Sequence, residues 1–283
     1  MPPHVAPTLF PYSTSHRIDE VGTGLLRKDL RPEALIGDAR TTKLPLLHDP
    51  RREPAVYRRL LGPAGIGPRC LASGDDWVLL ERVDAAVLWQ VGEISTWKAV
   101  AAFVATMHRR LAGLPVAGVP LVRYDGALAA IWRERAAAAG VPATVLAAHE
   151  RAADRLDGLP VALIHGELYP SNVLVRRAGA DDTADGVRVW PIDWEVAGRG
   201  PAVLDVAALS AGWPDGPHRA AIERAYLTAS GRSAADAVAW RADLRAARLL
   251  ICVQWLGWAQ SWTAPAAHRH DWLAEACRLA GRP

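Results

Sequence analysis

Lysine is nearly missing from this chain: Lys28, Lys43 and Lys98 are the only three among 283 residues. Any task that needs an ammonium group therefore has three candidates. The three cysteines, Cys70, Cys252 and Cys277, are odd in number and far apart, which leaves no disulfide framework and no CxxC zinc pair. A large charge of one sign is also lacking. The 33 basic and 30 acidic residues nearly cancel, without the clustered basic face that nucleic acid selects, so no nucleic-acid partner is expected. The start, Met1-Pro2-Pro3-His4-Val5, lacks the basic and apolar regions of a leader peptide. With the sparse cysteines, this sets the expectation of a cytoplasmic protein. Leu249 to His268 carries no charge, yet Pro265, Gln254, Gln260 and Ser261 interrupt it. A membrane span needs about 20 mostly apolar residues, so a buried helix is expected there and no membrane association. No GxGxxG occurs. Gly22-Thr23-Gly24 is only a GxG, and a hairpin turn is its expected meaning.

What is abundant is apolar: 51% of residues are hydrophobic, enough for one large core or two lobes. The first part reads as short strands with one helix. His16–Val21 and Gly24–Asp29 flank the glycine turn. Arg51–Leu61 is a helical stretch behind the cap and first-turn proline Asp49-Pro50. Asp76–Val83 is a strand, and Ala85–Glu93 a connector. Thr96–Leu111, Ala127–Ala139 and Pro142–Leu156 follow as helices. Short strands Val161–Ile164, Val173–Val175 and Val187–Ile192 come next, and residues 216–280 return to helix. The expectation is an α+β fold, with a small mixed β-sheet lobe at residues 1–84 and a larger, mainly helical lobe at 85–283.

One constellation carries chemistry. His165-Gly166-Glu167-Leu168-Tyr169-Pro170-Ser171-Asn172 sits between the apolar runs Leu163-Ile164 and Val173-Leu174-Val175, which anchor it from both sides. Phosphoryl transfer needs metal held against phosphates, a group that orients the attacking hydroxyl, and a cation on the phosphates. A carboxylate with an asparagine five positions on, Glu167 and Asn172, supplies the first two from one loop. Asp193, past another apolar strand, can share a metal with Asn172. Such oxygen ligands suit Mg²⁺, which takes few protein groups besides phosphates and water.

The runs Leu163 to Val175 and Pro191-Ile192-Asp193-Trp194-Glu195, with Gly200-Pro201 and Leu204-Asp205-Val206-Ala207 after them, resemble the signature motifs of the aminoglycoside phosphotransferase and choline kinase superfamily. The resemblance spans residues ~10–230, a range whose ends are soft. It implies a protein-kinase-like two-lobe fold, with ATP or GTP and Mg²⁺ as cofactors. It implies that Glu167, Asn172 and Asp193 are catalytic and that Asn172 and Asp193 hold the metal. It also implies a phosphate-binding lysine on a small-lobe strand and a helical glutamate that orients it. Leu25-Leu26-Arg27-Lys28-Asp29 and Arg51-Arg52-Glu53 fit these as Lys28 and Glu53. Lys43 is the rival, in a proline-marked segment that makes a poorer strand. Glu81, in Leu79-Leu80-Glu81-Arg82-Val83, marks the hinge strand that meets the adenine, and Ser13-Thr14-Ser15 lies where a phosphate-covering loop belongs. His165 and Asp205 are expected to shape the loop, not to react. One departure stands out: most relatives have Asp where this chain has Glu167.

That departure, with the missing glycine loop, leaves two readings: an active kinase with a retuned base, or a nucleotide-binding scaffold. A helical interaction protein without a nucleotide site is a third, weaker one. Glu195 reads either as a second metal-site acid or as a plain surface acid. Trp255, Trp258 and Trp262 follow helical spacing and read as core. His268-Arg269-His270-Asp271 reads as a solvated helix start, since no second ligand pair accompanies it. The expected acceptor is the hydroxyl of a small molecule or a peptide, met by a monomer or homodimer. Residues 92–283 hold 21 Lys/Arg against 19 Asp/Glu, so an acidic lobe suited to polycationic aminoglycosides is absent.

Overall fold

The computed structural model describes residues 16–36, 43–177, 186–213, 216–233, 236–258 and 270–281. Strands β1 (Ile18–Glu20) and β2 (Leu25–Asp29) form an antiparallel hairpin with Ile18 opposite Lys28. Gly22 and Gly24, at φ 67° and 78°, supply the left-handed positions of its turn, which is the expected role of Gly22-Thr23-Gly24. Strands β3 (Cys70–Ser73) and β4 (Trp77–Glu81) complete a sheet of order β1-β2-β4-β3.

Helix α1 (Arg52–Val56) packs against this sheet. It runs on through a π-helical turn, Tyr57–Leu61, into Gly62–Ala64. The Gly62 N–H bonds back to the Tyr57 carbonyl, five residues earlier. Pro63 has no N–H with which to restore the ordinary spacing. The wide turn lets Tyr57, Leu60 and Leu61 all be buried.

The second part is mostly helical, so the α+β expectation holds. Helix α2 (Ile94–Leu111) buries Trp97, Val100, Val104, Met107 and Leu111, spaced alternately three and four apart, as an apolar stripe requires. Helices α3 (Gly126–Ala138), α4 (Ala143–Asp157), α5 (Val203–Ser210), α6 (Pro217–Ala229), α7 (Ala237–Trp258) and α8 (Trp272–Ala280) follow. α7 is the central post, packed on α3, α4, α5 and α8, while α6 lies on α2. The start of the uncharged stretch at Leu249 is thus buried helix, and no helix among the described residues is long and apolar enough to cross a membrane. Asp271 caps α8 by accepting from the Ala274 N–H, in line with the helix start expected there. His268, Arg269 and Trp262 lie outside the described residues.

Two small sheets hold the central loop. One has β5 (Ala86–Val87), β8 (Val173–Arg177) and β9 (Val187–Pro191). The other has β6 (Val122–Arg123), β10 (Gly198–Pro201) and β7 (Val161–Ile164) in the order β6-β10-β7. Sequence periodicity gave no sign of β5, β6 or β10. These are two to four residues long, and two of the four positions in β10 are glycine.

Candidate active site

The loop 165–172 leaves β7 and enters β8, so both ends are fixed in sheets. Asp205, at the start of α5, braces it from beneath. Its carboxylate accepts from the His165 N–H at 2.9 Å and the Gly166 N–H at 3.0 Å, and meets His108 Nε2 at 3.0 Å. His108 Nδ1 in turn meets the Tyr226 hydroxyl at 2.9 Å. Burial would push the Asp205 carboxyl up, but these donors hold it below the usual range. The His165 Nε2–H donates to the Ile192 carbonyl at 2.8 Å, and its Nδ1 accepts from the Glu167 N–H at 3.3 Å. That is a neutral imidazole joining the loop to the residue before Asp193, and burial lowers its pKa accordingly. The Ile192 N–H completes the join by donating to the Asn172 carbonyl at 2.9 Å.

These bonds converge on Asp193, which stands at φ 65° and is the one non-glycine residue with positive φ among those described. A non-glycine residue held there costs on the order of 1–3 kcal/mol and persists where its surroundings over-determine it. Lys28 closes a direct ion pair with the Asp193 carboxylate. On its other side, Lys28 Nζ lies 2.7 Å from Glu53 Oε2, and the Trp194 N–H donates to Glu53 Oε1 at 3.2 Å. Burial alone would lower the Lys28 pKa, but Asp193, Glu53 and Glu195 together hold it well above its usual value. The same burial lifts Glu53 to about 7 despite Lys28.

Glu195 is no surface acid: it is 6% exposed. Its Oε1 lies 2.7 Å from Lys43 Nζ, and its Oε2 lies 2.8 Å from His16 Nδ1 and 4.0 Å from Lys28 Nζ. Burial would raise its pKa, but Lys43, Lys28 and the hydrogen bond from His16 set it well below the usual range. Lys28 and Lys43, rivals in the sequence, therefore occupy one site. Arg52 ties the segment in place by donating to the carbonyls of Leu47, Pro120 and Glu195 at 2.8, 2.6 and 2.7 Å. None of His16, Arg52 or His108 was singled out from the sequence.

Glu167, half-buried in the cleft, is pushed up to about 8, first by burial and then by the charges of Glu195 and Asp193, against the pull of Lys43 and Lys28. Asn172 Nδ2 donates to the Glu167 carbonyl at 2.9 Å, which commits the amide nitrogen and makes its oxygen the atom available to a cation. Four carboxylates (Glu53, Glu167, Asp193, Glu195) thus face two lysines. Among the described residues no group of three or more His, Cys, Asp or Glu side chains forms a metal cage. A donor set of Asp193 and Asn172 with excess negative charge instead fits Mg²⁺, which completes its shell with phosphates and water.

Two further expectations concern Ser13-Thr14-Ser15 and Glu81. Ser13, Thr14 and Ser15 lie outside the described residues. The Glu81 N–H already donates to the Arg69 carbonyl at 2.9 Å, and its carboxylate accepts from the Arg69 N–H, also at 2.9 Å. Its amide is spent on the sheet, and the Arg82 N–H after it donates to the Gly24 carbonyl at 2.8 Å.

A sequence model of the phosphotransferase enzyme family matches residues 45–242, well over half of the chain. A search of curated proteins finds no significant sequence match. Solved structures align along almost the whole length. Aminoglycoside 2'-phosphotransferase-IIIa, in a GDP complex, is 14% identical with a TM-score of 0.64, over 96% of this chain and 89% of that one. Choline kinase LicA from Streptococcus pneumoniae is 13% identical with a TM-score of 0.60, over 96% and 90%. Macrolide 2'-phosphotransferase MphH from Brachybacterium faecium is 17% identical with a TM-score of 0.57, over 95% and 92%. At such identities the likeness establishes the kinase-like fold alone.

Proposed function

The chain belongs to the phosphotransferase enzyme family, and we propose that it transfers the γ-phosphate of ATP or GTP to a hydroxyl of a small molecule. The observation that carries this reading is the meeting of Lys28, Glu53 and Asp193 from a strand, a helix and a loop, beside Glu167 and Asn172. Lys28, held by Glu53, binds the phosphates of a nucleotide lying between residues 1–84 and 85–283. With the Glu81 and Arg82 amides occupied by the carbonyls of Arg69 and Gly24, the backbone of residues 83–85 is the better partner for the base. Asp193 and Asn172 would hold Mg²⁺, which supplies charge neutralisation at the phosphates. Glu167 orients the acceptor hydroxyl. Its carboxylate takes the hydroxyl proton as the new O–P bond forms, and the bond from phosphorus to the β,γ-bridging oxygen breaks, releasing the diphosphate. Lys43 and Glu195 set the charge around this carboxylate.

The scaffold reading is not favoured. Its motives were Glu167 and the missing glycine loop, and the loop around Glu167 is braced by Asp205 and His165 as a working base requires. Thermal stabilisation by Mg-ATP and Mg-GTP, beside transfer of labelled γ-phosphate across a panel of alcohols, tests the proposal. Both are expected in the wild type, and Asp193→Asn is expected to lose transfer by at least about 100-fold. Full transfer in that variant refutes the assignment.

A further inference from the structure

A cavity opens beside the loop. It encloses about 40 Å³ between α3, α4 and α7, and the Gly166 backbone forms part of its wall. Glu167 is the next residue in the chain, so the cavity lies against the loop that carries the proposed base. The wall is built mainly from Leu128, Ala129, Trp132, Leu156 and Leu250.

Polar groups also line it: Gln254, Asp125, Asp157, Tyr124, whose hydroxyl donates to the Val196 carbonyl at 2.8 Å, and His149. His149 is 1% exposed, and neither ring nitrogen has a hydrogen-bond partner among the described residues. An unpaired buried polar group costs on the order of 1–3 kcal/mol, so its persistence beside a cavity points to a ligand group that satisfies it. Burial, aided by Arg133, lowers its pKa to about 4, so at neutral pH it is an uncharged donor and acceptor.

The two carboxylates at the rim are committed. Asp125 caps α3 by accepting from the Leu128 N–H at 3.2 Å and pairs with Arg123 at 3.1 Å. Asp157 accepts from the Gly126 N–H at 3.1 Å. A polycationic acceptor wants carboxylates it can desolvate and pair with, and these two already serve the helix start.

From this combination we infer that the cavity takes an uncharged, apolar branch of the acceptor, with one hydroxyl or carbonyl hydrogen-bonded to His149. The acceptor class is then a neutral, branched hydroxy compound, not an amine-rich sugar. The inference rests on the phosphotransferase reading for calling the ligand an acceptor, while the cavity and His149 stand without it. At about 40 Å³ the enclosed part admits only a few heavy atoms, given that an apolar cavity of about 150 Å³ holds benzene, so the rest of the molecule lies outside.

The test is a titration followed by NMR on the His149 ring resonances, assigned by their loss in His149→Gln. The probes are 2-methylpropan-1-ol and propan-2-ol, against ethanolamine at equal concentration. A saturable shift with the neutral alcohols, at least five-fold weaker with ethanolamine, is expected. Ala129→Leu fills the cavity and should abolish the shift, and Ala153→Leu at its lip serves if the first variant does not fold. A ring that does not respond, or responds equally to ethanolamine, overturns the inference. Nucleotide stabilisation of the wild type is read separately. Its loss with the alcohol shift intact would sink the phosphotransferase reading and spare the cavity.

Discussion

Replacing Glu167 with glutamine should make the protein more stable at alkaline pH while sharply lowering its activity. The carboxyl rises from 4.5 to about 8 in the folded state. The folded form therefore keeps a proton that the unfolded chain has lost between pH ~4.5 and ~8, and stability falls as pH rises through that window. Below it both states are protonated and the group contributes nothing. Above it the full cost of an ionised Glu167 near Glu195 and Asp193 is present. At about 1.4 kcal/mol per unit, the shift sets an upper bound of roughly 5 kcal/mol. The cleft is partly open to water, so about 2 kcal/mol is the working figure. Glutamine has the same shape and no proton to lose. Urea melts of both proteins at pH 5 and 8.5, without nucleotide or divalent cation, measure the difference. The variant is expected to lead by under about 1 kcal/mol at pH 5 and by about 2 kcal/mol at pH 8.5, the latter roughly 4 °C in Tm. Glu53, lifted to about 7, adds a slope of the same sign to both proteins and cancels. A gap that does not change between the two pH values would refute the burial and charge argument. A stabler but less active variant fits the rule that active sites hold charges at the expense of stability.

Two further predictions follow from the same geometry. If Glu167 is the base, kcat/KM for the free enzyme should climb with pH through a limb near 8, and that limb should vanish in the residual activity of Glu167→Gln. Asp205→Asn keeps the shape but cannot accept from the His165 and Gly166 amides and from His108 with the same charge-assisted strength. It should lower stability by about 2 kcal/mol and kcat by at least about 10-fold with little change in nucleotide affinity, as read by melts and calorimetry.

The loop and its partners were legible because the information is local. Glu167 and Asn172 share one turn, Asp193 follows a strand, and Lys28 and Glu53 sit on elements whose apolar pattern shows. The hairpin at Gly22-Thr23-Gly24 was equally local, since positive φ is a property of the residue itself. The Glu81 expectation was less secure. A strand's residue types do not say which of its amides a neighbour will use, and Arg69 took this one.

Sequence alone therefore determined the chemistry that nearby residues encode: the type of reaction, the loop, and a lysine short-list of three. Only the tertiary structure decided that two of those lysines meet at Glu195, because Lys43 and His16 reach it across well over a hundred residues of chain. It likewise decided that His108 and Tyr226 stand behind Asp205, and that His149 stands unpaired in a cavity. Charge, burial and hydrogen-bond partners belong to a place in space. Which residues share such a place is set by how the helices and sheets pack, which residue spacing along the chain does not encode.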